Sequence, residues 1–156
     1  MARKDGASAL FAEDLSIGQR FTSRSHELTA DEIREFAGRY DPQPFHLDEE
    51  AAADTLFGGL AASGWHTAAV TMRLLVDGGA PIAGGIIGAG GEIKWPRPTR
   101  PGDVLRVESE IIQITPSRSR PDRCRVRLRS ETRNQTGDVV QLLIADLVVP
   151  ARGAAT

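Results

Sequence analysis

Apolar positions along the chain change their spacing, and the change divides it into a helical first half and a strand-rich second half. Ile33, Phe36, Ala37 and Tyr40 recur at helical spacing. Thr29 with Glu32 three residues on makes a capping box, and Leu28 with Ile33 makes a hydrophobic staple, so a first helix is predicted to begin at Ala30. It should stop at Asp41, because Pro42 disfavours helical backbone at the residue before it. Asp48 can cap a short helix through Ala51, Ala52 and Ala53, ended by Phe57-Gly58-Gly59, which leaves His46 on the connector between two helices. A longer helix is predicted from Gly64 to Asp77, with Ser63 as N-cap and Gly78 as terminator. Trp65, Ala68, Ala69, Val70, Met72, Leu74, Leu75 and Val76 make it apolar nearly all round, which predicts a helix buried on every side.

The second half reads as strands at about 86–95, 103–114, 123–133 and 138–149, with an earlier one near Arg20 to Leu28. Between Val104 and Ile111, Arg106, Glu108 and Glu110 alternate with Leu105, Val107 and Ile111, so one face is wet and one covered. Leu142 to Val149 is almost continuously apolar, as a central strand would be, and Asn134-Gln135-Thr136-Gly137 reads as a hairpin turn. A buried helix with an antiparallel sheet to wrap it gives an α+β class and suggests the hot-dog architecture. One domain over residues 11–150 is expected, between poorly ordered tails at 1–10 and 151–156.

Composition narrows the functions more than it selects one. A net charge of -2 provides no bulk positive field for nucleic acid. The single cysteine, Cys124, can form neither an internal disulfide nor a structural zinc site, which fits a reducing cytoplasm. No segment has membrane-spanning length, and residues 1–14 lack a signal-peptide core. No metal or redox cofactor is expected.

Asp41 and His46 taken singly are ordinary turn residues. Pro42 and Pro44 stiffen the six-residue span that carries them, which can hold both side chains toward one point, where a water fits between a carboxylate and an imidazole, a group whose ordinary titration lies near neutrality. The N-H of Gly64, first in its helix, lacks an internal partner and carries the positive end of the dipole, so it is a candidate donor to a developing oxyanion. Ser63 lacks the glycine two residues earlier that a nucleophile elbow requires and is read as an N-cap. His66, in the first turn of a buried helix, is read as a neutral packed histidine, and His26 as a strand surface residue. The glycines at 84, 85, 88, 90 and 91 have no phosphate-loop lysine and are read as letting a strand bend tightly. Arg123, Arg125, Arg127 and Arg129 occupy one strand face and are read as a solvated charged surface, with Lys94, Arg97 and Arg100 as candidates to meet phosphates.

The run Asp41-Pro42-Gln43-Pro44-Phe45-His46-Leu47-Asp48, then Phe57-Gly58-Gly59, Ala62-Ser63-Gly64, Lys94-Trp95-Pro96-Arg97-Pro98 and Pro101-Gly102-Asp103, resembles the MaoC-like dehydratases, which include the R-specific enoyl-CoA hydratases. The resemblance spans about Phe11 to Pro150. It implies a hot-dog homodimer or higher homo-oligomer with a tunnel for a pantetheine arm. It also implies an acyl-CoA substrate, Asp41 and His46 as a catalytic dyad, and Gly64 as the oxyanion contact. Gln43, Phe45, Ser63, Trp65, Lys94 and Arg97 are the expected substrate-binding residues. The sequence departs from the family pattern at Gln43, where the motif has asparagine, at Ser63, where histidine often stands, and at Met72, where some hydratases carry a polar residue. The expected reaction is reversible hydration of a 2-enoyl thioester. A hot-dog thioesterase and a non-catalytic acyl-thioester-binding subunit remain the alternatives.

Overall fold

The computed structural model describes residues 8–153. After a 3₁₀ turn at Ala12–Asp14 the chain runs β1 (Arg20–Thr22), β2 (His26–Glu27), α1 (Ala30–Tyr40), α2 (Pro44–Leu47), α3 (Glu49–Ala53) and α4 (Gly64–Gly78). The sheet is completed by β3 (Gly88–Lys94), β4 (Val104–Pro116), β5 (Arg123–Arg133) and β6 (Val139–Pro150). Pairing is antiparallel throughout in the order β1-β4-β5-β6-β3, with β2 also on β4. The long strands β4, β5 and β6 carry α4 on their covered face, where Leu74 and Leu75 pack with Leu105, Val107 and Val140. This is the hot-dog fold, α+β, with the sheet curved about a central helix.

The local signals read from sequence act as expected at several points. Thr29 Oγ1 accepts from the Glu32 N-H, and Glu32 Oε2 accepts from the Thr29 N-H, which starts α1 at Ala30. On β4, Leu105, Val107, Ser109 and Ile111 are buried, while the alternate residues are not. Asn134 Oδ1 accepts from the N-H groups of Thr136 and Asp138, and Gly137 takes a positive φ of 84°, closing the β5–β6 hairpin. The glycine-rich stretch ends in a bulge between Gly88 and Gly90. At Gly91 a Cβ would stand 2.4 Å from the Ile144 carbonyl oxygen, so only glycine permits that approach of β3 to β6.

Three expectations require correction. The early strand is split into β1 and β2, because Ser23 turns inward between them, its N-H donating to the Val107 carbonyl and its Oγ accepting from the Val107 N-H. Of the expected tails at 1–10 and 151–156, residues 1–7 and 154–156 lie outside the described residues, and the described ends make contacts with the domain. Leu10 bridges Ile82, the Ala151 N-H donates to Asp122, and Arg152 pairs with Asp14 and stacks over Phe11 at 4.6 Å. Helix α4 is not buried on every side. Its His66, Thr67, Thr71, Leu74 and Leu75 face the interior, but Trp65 is 60% exposed, Met72 39% and Val76 44%. These three and Ala69 fall at i, i+4, i+7 and i+11, one stripe that the sheet of a single chain does not reach. Finally, His46 lies not on an irregular connector but in the one-turn helix α2, which Pro44 opens at its first position.

Candidate functional site

Two helix ends form the site. Asp41 caps the C-terminus of α1, its N-H donating to the Ala37 carbonyl, and Pro42 takes the chain out of the helix immediately afterwards. The turn of α2 then returns His46 toward Asp41, with Nε2 3.3 Å from Asp41 Oδ2. His46 is buried at 4% exposure. Its other nitrogen, Nδ1, lies 2.7 Å from the Ala61 carbonyl oxygen. A carbonyl only accepts, so Nδ1 carries the hydrogen, and in neutral His46 the Nε2 lone pair faces the carboxylate. Two acceptors then converge at a separation too short to be empty of hydrogen: either a proton lies between them or a water donates to both.

The carboxylate is anchored on both oxygens. Gln43 Nε2 donates to Oδ1 at 2.6 Å and Ser63 Oγ donates to Oδ2 at 2.7 Å. Burial pushes the Asp41 carboxyl up, but the Ser63 hydroxyl, the Gln43 amide and the neighbouring His46 together outweigh it and hold the group below the usual carboxylate range. Asp41 is therefore ionised at neutral pH. The ring of His46 is held by aromatic edges, Phe45 at 4.6 Å and nearly perpendicular, Phe57 at 5.8 Å, with Phe45 and Phe57 themselves 5.0 Å apart.

Ser63 has a second task. Its Oγ accepts from the Trp65 N-H at 3.3 Å and caps α4, so one oxygen both starts the helix and fixes Asp41. The next N-H, that of Gly64, is the first of α4 and has no acceptor among the described residues. Gly64 also has a packing reason to be glycine: a Cβ there would meet Cε2 of Trp95 at 2.6 Å and Cδ2 and Cζ2 at 2.8 Å. The Trp95 indole lies on the Gly64 backbone, with Trp65 edge-on to it at 5.3 Å.

The structure thus brings Asp41, Gln43, Phe45, His46, Ser63 and Gly64 together, with Trp65 adjoining through Trp95. Lys94, at the end of β3, and Arg97 just beyond it are exposed, Arg97 within 3.9 Å of Asp138. Arg100 is not free for a phosphate: its guanidinium donates to the carbonyls of Phe57, Gly59 and Leu60 and staples the loop that carries Phe57. The sheet-face arginines meet carboxylates, Arg127 with Asp146 and Arg129 with Glu131. His66 stacks on Phe36 at 4.6 Å, and its burial, the leading cause, holds it below the ordinary imidazole range and so neutral. A cavity of about 250 Å³ beside it, lined by His26, Phe36, Tyr40 and Val70 among others, does not include the Asp41–His46 pair. Among the described residues no three His, Cys, Asp or Glu side chains converge as metal ligands. The sequence alone gives Trp95 no role beyond its place in the motif, gives Arg100 a phosphate role rather than the loop contact it makes, and carries no signal for the Ala61 carbonyl.

Comparison with known proteins places the chain in a family. A crystal structure of a MaoC-like dehydratase from Rhodospirillum rubrum superposes with a TM-score of 0.92 at 62% identity, covering 94% of this chain and 100% of that one. The 3-hydroxybutyryl-CoA dehydratase of Methylorubrum extorquens is 31% identical over 110-odd residues, 71% of this chain and 69% of that protein. The uncharacterized protein YdeM of Bacillus subtilis is 36% identical over 110 residues, 69% of this chain and 77% of that protein. The family described as MaoC like domain matches residues 13–133, and the chain belongs to that family, the MaoC-like dehydratases.

Proposed function

We propose that the protein is a hydro-lyase that adds water reversibly to a 2-enoyl thioester, giving a 3-hydroxyacyl thioester, with coenzyme A as the carrier. The observation that carries this reading is the approach of Asp41 Oδ2 and His46 Nε2 to 3.3 Å, beside the open N-H of Gly64. A water donating to both acceptors has its oxygen lone pairs directed outward, toward C3 of a bound enoyl group. As that oxygen bonds to C3, one water proton passes to the Asp41–His46 pair, and the carbonyl oxygen gains negative charge that the Gly64 N-H stabilises at the positive end of α4. The pair then delivers a proton to C2, so H and OH have been added across the double bond and the pair is restored. The two groups act as one proton-holding unit, and neither alone is assigned as the base.

The exposed stripe of α4 and the free edge of β3 support a homodimer in which a second copy covers Trp65, Met72 and Val76. In such an assembly the Asp41–His46 bay is roofed by the partner, which gives the long pantetheine arm a channel. The test is hydration of crotonyl-CoA by the purified protein, followed by loss of enoyl absorbance together with an assay for free thiol. Asp41→Asn and His46→Ala should each reduce turnover by about three orders of magnitude or more with the fold retained. Thiol release in place of enoyl loss would identify a thioesterase, and full activity in both variants would overturn the reading.

A further inference from the structure

Trp95 is not among the residues so far given a part in the reaction, yet it is held with unusual definition. Its Nε1-H donates to Oε1 of Gln141 at 3.0 Å, and Gln141 is fully buried on β6. An indole nitrogen can only donate, so the Gln141 amide is locked with its oxygen toward the ring, and its Nε2 is left buried without a partner among the described residues. A buried amide N-H with no acceptor is destabilising, and removing the polar group would relieve it. The Gln141 hydrogen bond orients the indole, whose inner edge lies against Gly64 while 40% of the residue is exposed.

We infer that Trp95, fixed by Gln141, is the specificity-determining wall of the site and restricts the substrate to thioesters unbranched at C2. The inference rests on the placement of the thioester carbonyl at the Gly64 N-H proposed above. A carbonyl oxygen accepting from that N-H puts the thioester carbon about 4 Å from the Gly64 nitrogen. The indole atoms stand 2.6 to 2.8 Å from the position a Cβ of residue 64 would take, so the ring flanks the backbone whose N-H is proposed to hold the carbonyl, on the side where C2 can carry a substituent. A hydrogen on C2 fits there, and a methyl group meets the ring. Trp65, edge-on to Trp95, blocks the ring from sliding aside toward α4.

The test compares a linear and a C2-branched acyl chain on wild type, Trp95→Ala and Gln141→Leu. Binding of butyryl-CoA and 2-methylbutyryl-CoA, which cannot be hydrated, is measured by calorimetry, and turnover of crotonyl-CoA and tiglyl-CoA is measured in parallel. Wild type should prefer the linear member of each pair by about 10-fold or more, the order expected for one methyl group against a packed wall. Trp95→Ala should narrow the preference about 10-fold through tighter binding of the branched ligand. Gln141→Leu should narrow it less, because the ring remains but is released. A general loss of fold integrity would weaken both ligands together and leave the ratio unchanged. If Trp95→Ala does not fold, Trp95→Phe, which keeps a ring without the N-H, is read by the same ratio. An unchanged preference in the folded variants, or equal binding of both ligands by wild type, would overturn the inference. A wild type that discriminates in binding but hydrates neither substrate leaves the wall standing and overturns the hydratase reading; absence of binding by either acyl-CoA overturns both.

Discussion

Ser63→Ala removes one buried oxygen that two parts of the molecule use. As the N-cap of α4, Ser63 Oγ accepts from the Trp65 N-H, and loss of such a cap costs about 1 kcal/mol. As a donor to the ionised Asp41 carboxylate at 2.7 Å it contributes roughly 1.5 to 3 kcal/mol, toward the lower end because Gln43 still donates to the other oxygen. The two contributions overlap in a single atom, so the expected loss is about 2 to 3 kcal/mol, a fall in Tm of roughly 4 to 12 °C for a domain of this size. The pH dependence separates the contributions. Asp41 is held below its ordinary value of 3.8, burial being outweighed by Ser63, Gln43 and His46. A carboxyl depressed in the folded state contributes stability that is present above its unfolded value and is lost as pH falls through its folded value. In Ser63→Ala the folded value rises, so the wild-type advantage should be largest near neutrality. It should shrink as pH falls from the variant's folded value through the lower wild-type one, leaving about 1 kcal/mol of cap. Urea unfolding of both proteins in a series from about pH 7 to about pH 3 measures the difference directly. A difference constant across the series would show that Ser63 acts on the helix alone and would refute its hold on Asp41.

Arg100→Met should cost about 2 to 3 kcal/mol in urea unfolding, because three loop carbonyls lose a charged donor. Its effect on turnover should exceed that of a surface arginine such as Arg125, since the loop it releases carries Phe57 against His46. Met72→Asp places a charge in the exposed α4 stripe and, on the proposed homodimer, should shift sedimentation from dimer to monomer with little change in the far-ultraviolet dichroism of the monomer. A variant that sediments as wild type would place the contact between copies elsewhere.

Much of the fold was legible because it is written locally. The capping box at Thr29 and Glu32, the proline after Asp41, the serine before Gly64 and the alternation on β4 each act within a few residues, and each element begins or ends where that chemistry places it. Short elements escaped for the same reason: α2 spans four residues, less than the period needed to show a face, and β1 and β2 are separated by an inward turn that only the partner strand makes favourable. The apolar stripe of α4 was misread as full burial because hydrophobic pattern reports a need for cover, not what supplies it. A partner chain and an overlying sheet leave the same signature in the sequence.

The site divides along the same line. Asp41 and His46 lie five residues apart, and their convergence can be argued from two prolines, whereas the groups that decide their chemistry come from 15 to 22 residues further along. Ala61 supplies a main-chain oxygen, to which no side-chain pattern points, yet it fixes the hydrogen on Nδ1 and so leaves Nε2 to face the carboxylate. Ser63 is legible as a cap, and nothing local reveals that the same oxygen reaches Asp41. This double use couples stability to chemistry: the start of α4, the ionisation of Asp41 and the exposure of the Gly64 N-H all depend on one serine and the glycine after it. A change at either residue should therefore move the fold and the reaction together. On the proposed reading, substitutions at Asp41 or His46 should silence the reaction and leave α4 capped, an asymmetry that distinguishes residues that position the site from those that act in it.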